Sequence, residues 1–170
     1  MAMSDQFTDA EIADLRRLLE IEAIRRLRLD YSRAVDLRDI EGVIDMFTDD
    51  ALCEYGPYGT WSGKETIARN YREMFAGEAI DPPFSSQHLN TNHTVDILSE
   101  TEARGECYLI DVDTRASPTA NPIIWFAHYD EQYRKENGKW LFCRSSLNFF
   151  WPERHVLPRL DTSADGRTSV

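Results

Sequence analysis

Six polar side chains stand in otherwise apolar segments of this sequence, and they are the first candidates for chemistry. Histidine gains and loses a proton near neutral pH, whereas a buried Asp or Arg needs a partner or a water-filled site. Polar residues in such segments therefore indicate either a polar pocket inside the fold or core side chains that satisfy one another. The six residues are Asp36, His88, Asn92, His93, His128 and Arg144.

The segment "FSSQHLNTNHTVDI" is the richest of these stretches. On a strand, His88, Asn92 and Thr94 share one face, and Val95 and Ile97 belong to the other unless a bulge intervenes. His93 falls on the face opposite to His88. A polar face on a long strand is typical of a substrate cavity, and it is equally the pattern of a sheet face covered by water. For His93 the pattern favours an ordinary surface or hydrogen-bonded histidine.

Asp36 lies in a helical segment whose apolar stripe predicts the opposite orientation. The stripe comprises Ile24, Leu27, Tyr31, Ala34 and Val35, which fall in one sector of the helical wheel. Asp36 points away from that sector, so periodicity alone predicts that it faces solvent. It reaches a cavity only if the helix contacts protein on two sides.

Arg144 and His128 lie in strand-like apolar segments, "WLFCRSSLNFFW" and "WFAHYDEQY". Arg144 alternates with Phe142 and Ser146, so it has either a structural ion pair with a carboxylate or a place in a polar pocket. His128 is either a second pocket histidine or a satisfied core residue.

The elements that position these residues are helices first and long strands afterwards. Helices are predicted over residues 9–38, 40–47 and 64–75, with Thr8 or Asp9 as the first cap. Strands rich in β-branched and aromatic residues follow at 84–98, 103–114, 123–135 and 140–151, and Asn137–Gly138 is a strong hairpin-turn signal. This order predicts an α+β fold in which a mostly antiparallel sheet curls over three helices.

The chain of 170 residues is predicted to form one domain over 9–152, with a loose N-terminus (1–8) and a C-terminal tail (153–170). A net charge of −11 argues against nucleic acid and against anionic membranes as partners. The three cysteines do not cluster, which predicts reduced thiols in a cytoplasmic protein and no zinc site. No secretory signal pattern opens the chain.

Common catalytic and cofactor motifs are missing from the sequence. It has no Gly-rich phosphate loop, no H-E-x-x-H, no G-x-S-x-G and no EF-hand loop. Most nucleotide enzymes, metalloproteases and α/β-hydrolases are thereby excluded. We expect neither a metal nor a cofactor.

At this point the sequence resembles the SnoaL-like polyketide-cyclase family of the nuclear-transport-factor-like (cystatin-like) superfamily. The resemblance begins with Tyr31, Asp36 and the run from Asp39 to Ala51 that ends in "FTDDA". It continues through "GTWSGKETI", "SQHLNTNHTVDI" and "YDEQYRKENGKWLFCRSSLNFF", and spans roughly residues 12 to 152. It implies a cone-shaped sheet wrapped over the helices, with the first helix lining the cavity.

The resemblance also implies functional residues. A dehydratase and a dehydrochlorinase of this superfamily use an Asp–His pair without a cofactor, and Asp36 and His88 occupy the positions of that pair. Arg144 falls on a strand where the dehydrochlorinase carries an arginine near its leaving group. Further candidates for substrate binding are Tyr31, Tyr55, Tyr58, Asn92, Trp125 and His128.

Three functional hypotheses follow from this resemblance. The first is a lyase that performs dehydration, dehydrohalogenation or a retro-aldol-type cleavage on a hydrophobic, aromatic substrate. The second is an isomerase or cyclase with the same base, and the third is a non-catalytic binding or assembly protein of the same fold. The alternating aromatics of the sheet and the segment "FFWPERHVLP" also predict a homo-oligomer, dimer or trimer.

Overall fold

A computed structural model describes residues 7–76, 85–114 and 122–155. Most of the expected N-terminal segment (1–8) and C-terminal tail (153–170) lies outside the described residues. The helices are α1 (Asp9–Leu37), α2 (Ile40–Ile44) and α3 (Lys64–Ala76). The strands are β1 (Phe47–Glu54), β2 (Thr60–Ser62), β3 (Ser86–Ile97), β4 (Glu102–Asp113), β5 (Ile123–Glu136) and β6 (Lys139–Trp151).

The six strands form one sheet in the order β2-β1-β6-β5-β4-β3. All neighbouring pairs are antiparallel except β1 and β6, which run parallel. The tight turn between β5 and β6 is made by Asn137 and Gly138, both with positive φ (50° and 80°), as an Asn-Gly hairpin requires. The predicted α+β fold with a mostly antiparallel sheet is confirmed.

Helix α1 begins and ends at well-defined caps. The Thr8 hydroxyl accepts from the backbone N–H of Glu11, whose carboxylate accepts from the Thr8 backbone, which is a capping box. The helix ends at Arg38, which adopts the left-handed conformation (φ 64°). Within the described parts of the chain, neither this helix nor any other has the length and apolar composition needed to cross a bilayer.

The core lies between α1 and the concave face of the sheet. Tyr31 packs edge-on against Phe47 and Phe142, at ring-centroid distances of 6.0 and 5.6 Å. Ile24 and Val35 of the predicted stripe are buried beside them. The stripe therefore faces the core as its periodicity predicted.

Two irregularities in the strands decide which side chains face this core. In β3, Asn92 has a positive φ (55°), and the pairing with β4 shifts by one residue between Thr91 and Thr94. In β6, Arg144 pairs with Gln132 but Phe142 pairs with Tyr133, so Cys143 is an extra residue. Each bulge reverses the alternation of side chains beyond it.

Candidate active site

His88 of β3 and Asp36 of α1 form a hydrogen-bonded pair. Asp36 Oδ1 lies 2.7 Å from Nδ1 of His88, and both carboxylate oxygens lie 3.2 Å from the His88 backbone nitrogen. The carboxylate accepts from the backbone N–H and, in the Nδ1–H tautomer, from the ring as well. Nε2 of His88 makes no hydrogen bond with any residue that the structure describes.

Asp36 is buried although the apolar stripe of its helix predicted a solvent-facing position. Only 8 % of the residue is exposed, because the side of α1 that turns away from the core packs against β3. Ser32, one helical turn earlier, is buried there too and accepts a hydrogen bond from Asn90 of β3 at 2.6 Å. Protein on two sides of one helix is a tertiary feature, which helical periodicity does not contain.

His88 lines a cavity of about 220 Å³ between the helices and the sheet. Of the predicted substrate-binding residues, Tyr31, Tyr55, Tyr58 and Trp125 line it as well. The remaining wall is largely aromatic or aliphatic and includes Val35, Trp61, Tyr71, Met74, Phe75, Leu109, Tyr129, Leu147 and Phe149. The cavity is thus an apolar chamber with a few polar groups.

Three tyrosine hydroxyls meet in this cavity. The hydroxyl of Tyr55 lies 3.3 Å from those of Tyr31 and Tyr71, and the latter two are hydrogen-bonded to each other. Burial raises the pKa of Tyr31, against the opposing charge of Arg28, and it raises the pKa values of Tyr55 and Tyr71 well above the ordinary range. All three phenols therefore keep their protons and remain hydrogen-bond donors near neutral pH.

Arg144 does not line this cavity. Its Nε and one terminal nitrogen lie 2.9 and 2.7 Å from Oε2 of Glu54, on the convex face of the sheet. The bulge at Cys143 is the physical reason, since it turns Phe142 inward and Arg144 outward. The expectation that Arg144 approaches the substrate cavity is corrected: the other alternative, a structural ion pair, describes its contacts.

Two other predicted substrate-binding residues also lie away from the cavity. His128 is on the convex face, with Nε2 3.5 Å from Oε2 of Glu106 and its ring against Tyr108. Asn92 is the exposed bulge residue of β3. The structure therefore brings neither into contact with the space that His88 lines. Strand alternation turns His128 outward, and the bulge removes Asn92 from the face that His88 occupies.

His93 faces the core, on the same side of the sheet as His88, and the prediction of the opposite face is wrong. The bulge at Asn92 inserts one residue between the two histidines. Nε2 of His93 lies 3.3 Å from the Tyr133 hydroxyl. Burial, and then the charges of Arg28 and Arg25, lower the pKa of His93 to about 4. The histidine is consequently neutral at physiological pH.

Six polar or hydroxyl-bearing residues of the cavity wall were not among the predicted site residues: Arg38, Tyr71, Ser86, Asp111, Asp113 and Tyr129. The β4 sequence contains a signal for two of them, since Leu109, Asp111 and Asp113 alternate on one face. Asp111 pairs directly with His88 across the β3–β4 ladder. No local signal marks Tyr71, because its hydroxyl contacts with Tyr31 and Tyr55 depend on the tertiary fold.

The described residues offer no cluster of three or more His, Cys, Asp or Glu side chains that could hold a metal ion. The polar groups of the described cavity wall include an imidazole, phenols, a serine hydroxyl, carboxylates and a guanidinium. Such a set can accept a proton, donate hydrogen bonds to a ligand and orient it.

Comparison with known proteins agrees with this architecture. A candidate scytalone dehydratase from Novosphingobium aromaticivorans DSM 12444 has 24% identity and a TM-score of 0.71, with 90% of this chain and 97% of that chain covered. Hexachlorocyclohexane dehydrochlorinase LinA-type3 from Novosphingobium barchaimii LL02 has 22% identity and a TM-score of 0.67, with 85% and 99% covered. A Nostoc punctiforme protein of unknown function with a cystatin-like fold has 22% identity and a TM-score of 0.62, with 76% and 90% covered.

These structures define the class as the nuclear-transport-factor-like, or cystatin-like, fold. Residues 16–146 match the SnoaL-like domain, so the chain belongs to the SnoaL-like domain family. No curated protein matches the sequence. The resemblance found in the sequence is thereby confirmed.

Proposed function

We propose that the protein is a cofactor-independent lyase that acts on a small, ring-containing hydrophobic molecule, with His88 as general base and Asp36 as its orienting partner. The observation that carries the proposal is the 2.7 Å contact between Asp36 and Nδ1 of a histidine that lines an aromatic cavity. The fold relatives are consistent with this class, because a dehydratase and a dehydrochlorinase both eliminate a small molecule.

Asp36 prepares His88 for proton abstraction. A carboxylate that accepts from Nδ1–H holds the imidazole in the tautomer whose Nε2 carries the lone pair. Nε2 then takes a proton from a substrate carbon, and the electrons of that C–H bond form a double bond while the leaving group departs with its own pair. In a dehydration the proton held at Nε2 is passed to the departing hydroxide, which leaves as water; in a dehydrohalogenation the halide leaves as an anion and the proton passes to solvent, which restores the base.

The tyrosine hydroxyls supply the stabilisation that the base cannot supply. A general base contributes roughly 10²–10⁴-fold to a rate, so a larger acceleration needs donors aimed at the developing negative charge. Tyr31, Tyr55 and Tyr71 remain protonated in the cavity wall, for the reason given above. Their cluster would donate hydrogen bonds to a carbonyl or phenolate oxygen of the substrate.

The size of the cavity limits the substrate. A protein cavity of about 150 Å³ accepts benzene, and this cavity measures about 220 Å³. One substituted ring therefore fits, whereas a larger terpenoid would need the cavity to expand. Aromatic walls such as Trp61, Trp125 and Phe149 favour a flat, apolar ligand.

The test is a screen of cyclic and aromatic compounds that carry an acidic C–H beside a hydroxyl or halide. Proton NMR and halide release identify elimination, while a product of unchanged mass identifies isomerisation. His88→Gln should abolish turnover, and His128→Gln, which alters a histidine on the convex face, should not. Full activity in His88→Gln would exclude His88 as the base. Saturable binding without turnover across the screen would support a non-catalytic binding protein instead.

The proposal includes self-association through the convex face of the sheet. Leu89, Tyr108 and Phe126 are exposed there, and Trp151 packs its ring against Phe126. A patch of large apolar side chains on an open sheet face is typical of a surface that contacts a second subunit. A dimer or trimer built on this face would cover the patch and leave the His88 cavity on the opposite side.

A further inference from the structure

Arg28 of α1 carries a charge that is completely buried. Both Arg28 and Glu131 are 0 % exposed, and one terminal nitrogen of Arg28 lies 2.7 Å from Oε1 of Glu131. The other terminal nitrogen donates to the Ser32 hydroxyl at 3.2 Å. Burial opposes the charge on Arg28, but the facing carboxylate, together with nearby tyrosine and cysteine side chains, raises the pKa of Arg28 well above its ordinary value, so the side chain stays ionised.

The guanidinium of Arg28 also lies between two rings of the cavity wall. Its central carbon is 4.1 Å from the ring centroid of Tyr31 and 4.1 Å from that of Tyr129. Both tyrosines line the cavity that contains His88. Cation–π contacts of this kind are favourable only while the guanidinium lies over each ring face, so they favour one position of both rings.

The carboxylate of Glu131 accepts two further hydrogen bonds. Ser145 donates to Oε1 at 3.1 Å, and Tyr133 donates to Oε2 at 2.6 Å. The ion pair is thus part of a hydrogen-bonded network that joins α1, β5 and β6. Stability alone is a weak explanation for such a network, because apolar residues of similar volume often replace a buried ion pair without loss of stability.

The network reaches the His88–Asp36 pair through two residues. The Ser32 hydroxyl that receives the hydrogen bond from Arg28 also accepts from Asn90 of β3 at 2.6 Å. Asn90 is two residues after His88 on the same strand, and Asp36 is one helical turn after Ser32 on the same helix. Ser32 therefore ties α1 to β3 beside the point where these elements bring the carboxylate to the imidazole.

We propose that the Arg28–Glu131 ion pair is a positioning element of the candidate active site, which fixes the tyrosine wall and the distance between α1 and β3 on which the His88–Asp36 contact depends. Arg28 touches no substrate in this scheme. It acts through Tyr31 and Tyr129 on one side, and through Ser32 and Asn90 on the other. The proposal rests on the proposed function, since it assigns a purpose to the geometry of that same site.

The test compares two ion pairs of this chain, each joining an Arg and a Glu. Arg28→Met/Glu131→Leu removes the inner pair without leaving a buried charge alone, which favours folding. Arg144→Met/Glu54→Leu removes the pair on the convex face and serves as the matched control. Ser32→Ala is a third variant that cuts only the link to β3.

The first measurement is the ¹⁵N NMR spectrum of the His88 ring, which reports the tautomer without any substrate. The wild type and the control should show the Nδ1–H tautomer, and the inner-pair and Ser32→Ala variants should shift toward Nε2–H. For a substrate found in the screen, we expect kcat to fall about 10- to 100-fold in these two variants, because small displacements of catalytic groups have effects of that size. KM should change less.

The inference would be overturned if the folded inner-pair variant, or Ser32→Ala, kept the wild-type tautomer and kcat. A loss of melting temperature alone, equal in the inner-pair and control variants, would show a purely structural role and would also overturn it. Failure of the proposed function has a different signature. In that case His88→Gln retains turnover, whatever happens to the tautomer in the Arg28 variants.

Discussion

The carboxylate of Asp36 holds His88 at two points, the ring and the main chain. Oδ1 lies 2.7 Å from Nδ1, and both oxygens lie 3.2 Å from the backbone nitrogen of the same residue. Strand β3 is an edge strand, so no further strand offers an acceptor to this N–H. One side chain of α1 thereby sets both the orientation of the imidazole and the position of the strand that carries it.

Asp36→Asn should abolish most turnover while leaving the fold intact. The amide keeps one oxygen for the backbone N–H of His88 but no longer favours the Nδ1–H tautomer, so we expect a rate loss of about 10²–10⁴-fold. The loss of stability should be only about 1 kcal/mol, the usual effect of one hydrogen bond. Steady-state kinetics and thermal unfolding measure the two effects. Asp30→Asn is the control on the same helix, because Asp30 pairs with Arg26 at the surface, and a similar rate loss there would contradict the assignment.

Tyr55→Phe should reduce kcat by about 10²-fold, since the removal of one preorganised donor to a developing oxyanion has an effect of that order. The ring remains, and its packing against Trp61 at a centroid distance of 5.1 Å should hold the wall in place. Tyr108→Phe removes a hydroxyl from the convex face and should leave kcat unchanged. Equal rates in both variants would show that the tyrosine cluster only fills the core.

Arg144→Met should leave turnover unchanged, because its guanidinium is bound to Glu54 outside the cavity. Its effect should appear in stability, where the loss of a hydrogen-bonded charge leaves Glu54 with Ser146 as its remaining donor. We expect a decrease of about 1–3 kcal/mol in the free energy of unfolding, measurable by urea denaturation. A large decrease in kcat with a normal unfolding curve would place Arg144 back in the reaction.

Stability should fall between pH 6.5 and pH 4 because of His93. The pKa of His93 is about 4 in the folded protein, compared with an ordinary value of 6.5, so between these two pH values the unfolded chain binds the proton more tightly. The contribution of neutral His93 is complete above pH 6.5, decreases as the pH falls, and does not decrease further below about pH 4. Urea unfolding of the wild type and His93→Gln across this range isolates the effect. Parallel curves for the two proteins would contradict it.

Phe126→Glu should dissociate the proposed homo-oligomer. A charge placed among the exposed apolar side chains of the convex face would have to be desolvated on association. Sedimentation velocity should show a dimer or trimer for the wild type and a species near the chain mass of 19.7 kDa for the variant. Leu19→Glu is the control, because Leu19 is exposed on α1 and away from the sheet. A wild type that sediments as a monomer at micromolar concentration would reject the proposal.

Local sequence signals predicted the elements well, and the errors have identifiable causes. The caps of α1, its apolar stripe and the Asn137–Gly138 turn depend on neighbouring residues, so they are visible in the sequence. The facing of His93 and Arg144 was wrong because a bulge adds one residue to a strand, and period-two alternation does not reveal where this happens.

Burial of Asp36 and Arg28 depends on packing between distant parts of the chain. Asp36 is covered by β3, and Arg28 finds its carboxylate 103 residues away. Helical periodicity predicted a solvent-facing Asp36, and only the family resemblance placed it in the site. Nothing local marks Glu131 as the partner of Arg28, so the sequence alone did not reveal the ion pair.

The bulge at Asn92 divides β3 into two stretches whose inward-facing side chains contact different parts of the interior. Before it, Ser86 and His88 face the cavity; after it, His93 and Val95 face the core, although an unbroken count of two would turn them to solvent. Insertion or deletion of a single residue here would therefore exchange the inward-facing and outward-facing side chains of β3 on one side of the altered position. The strand could still pair with β4, but with the wrong side chains towards the core. Mutations that alter chain length at this point are consequently far more disruptive than substitutions, even though Asn92 itself is exposed and lies outside the cavity.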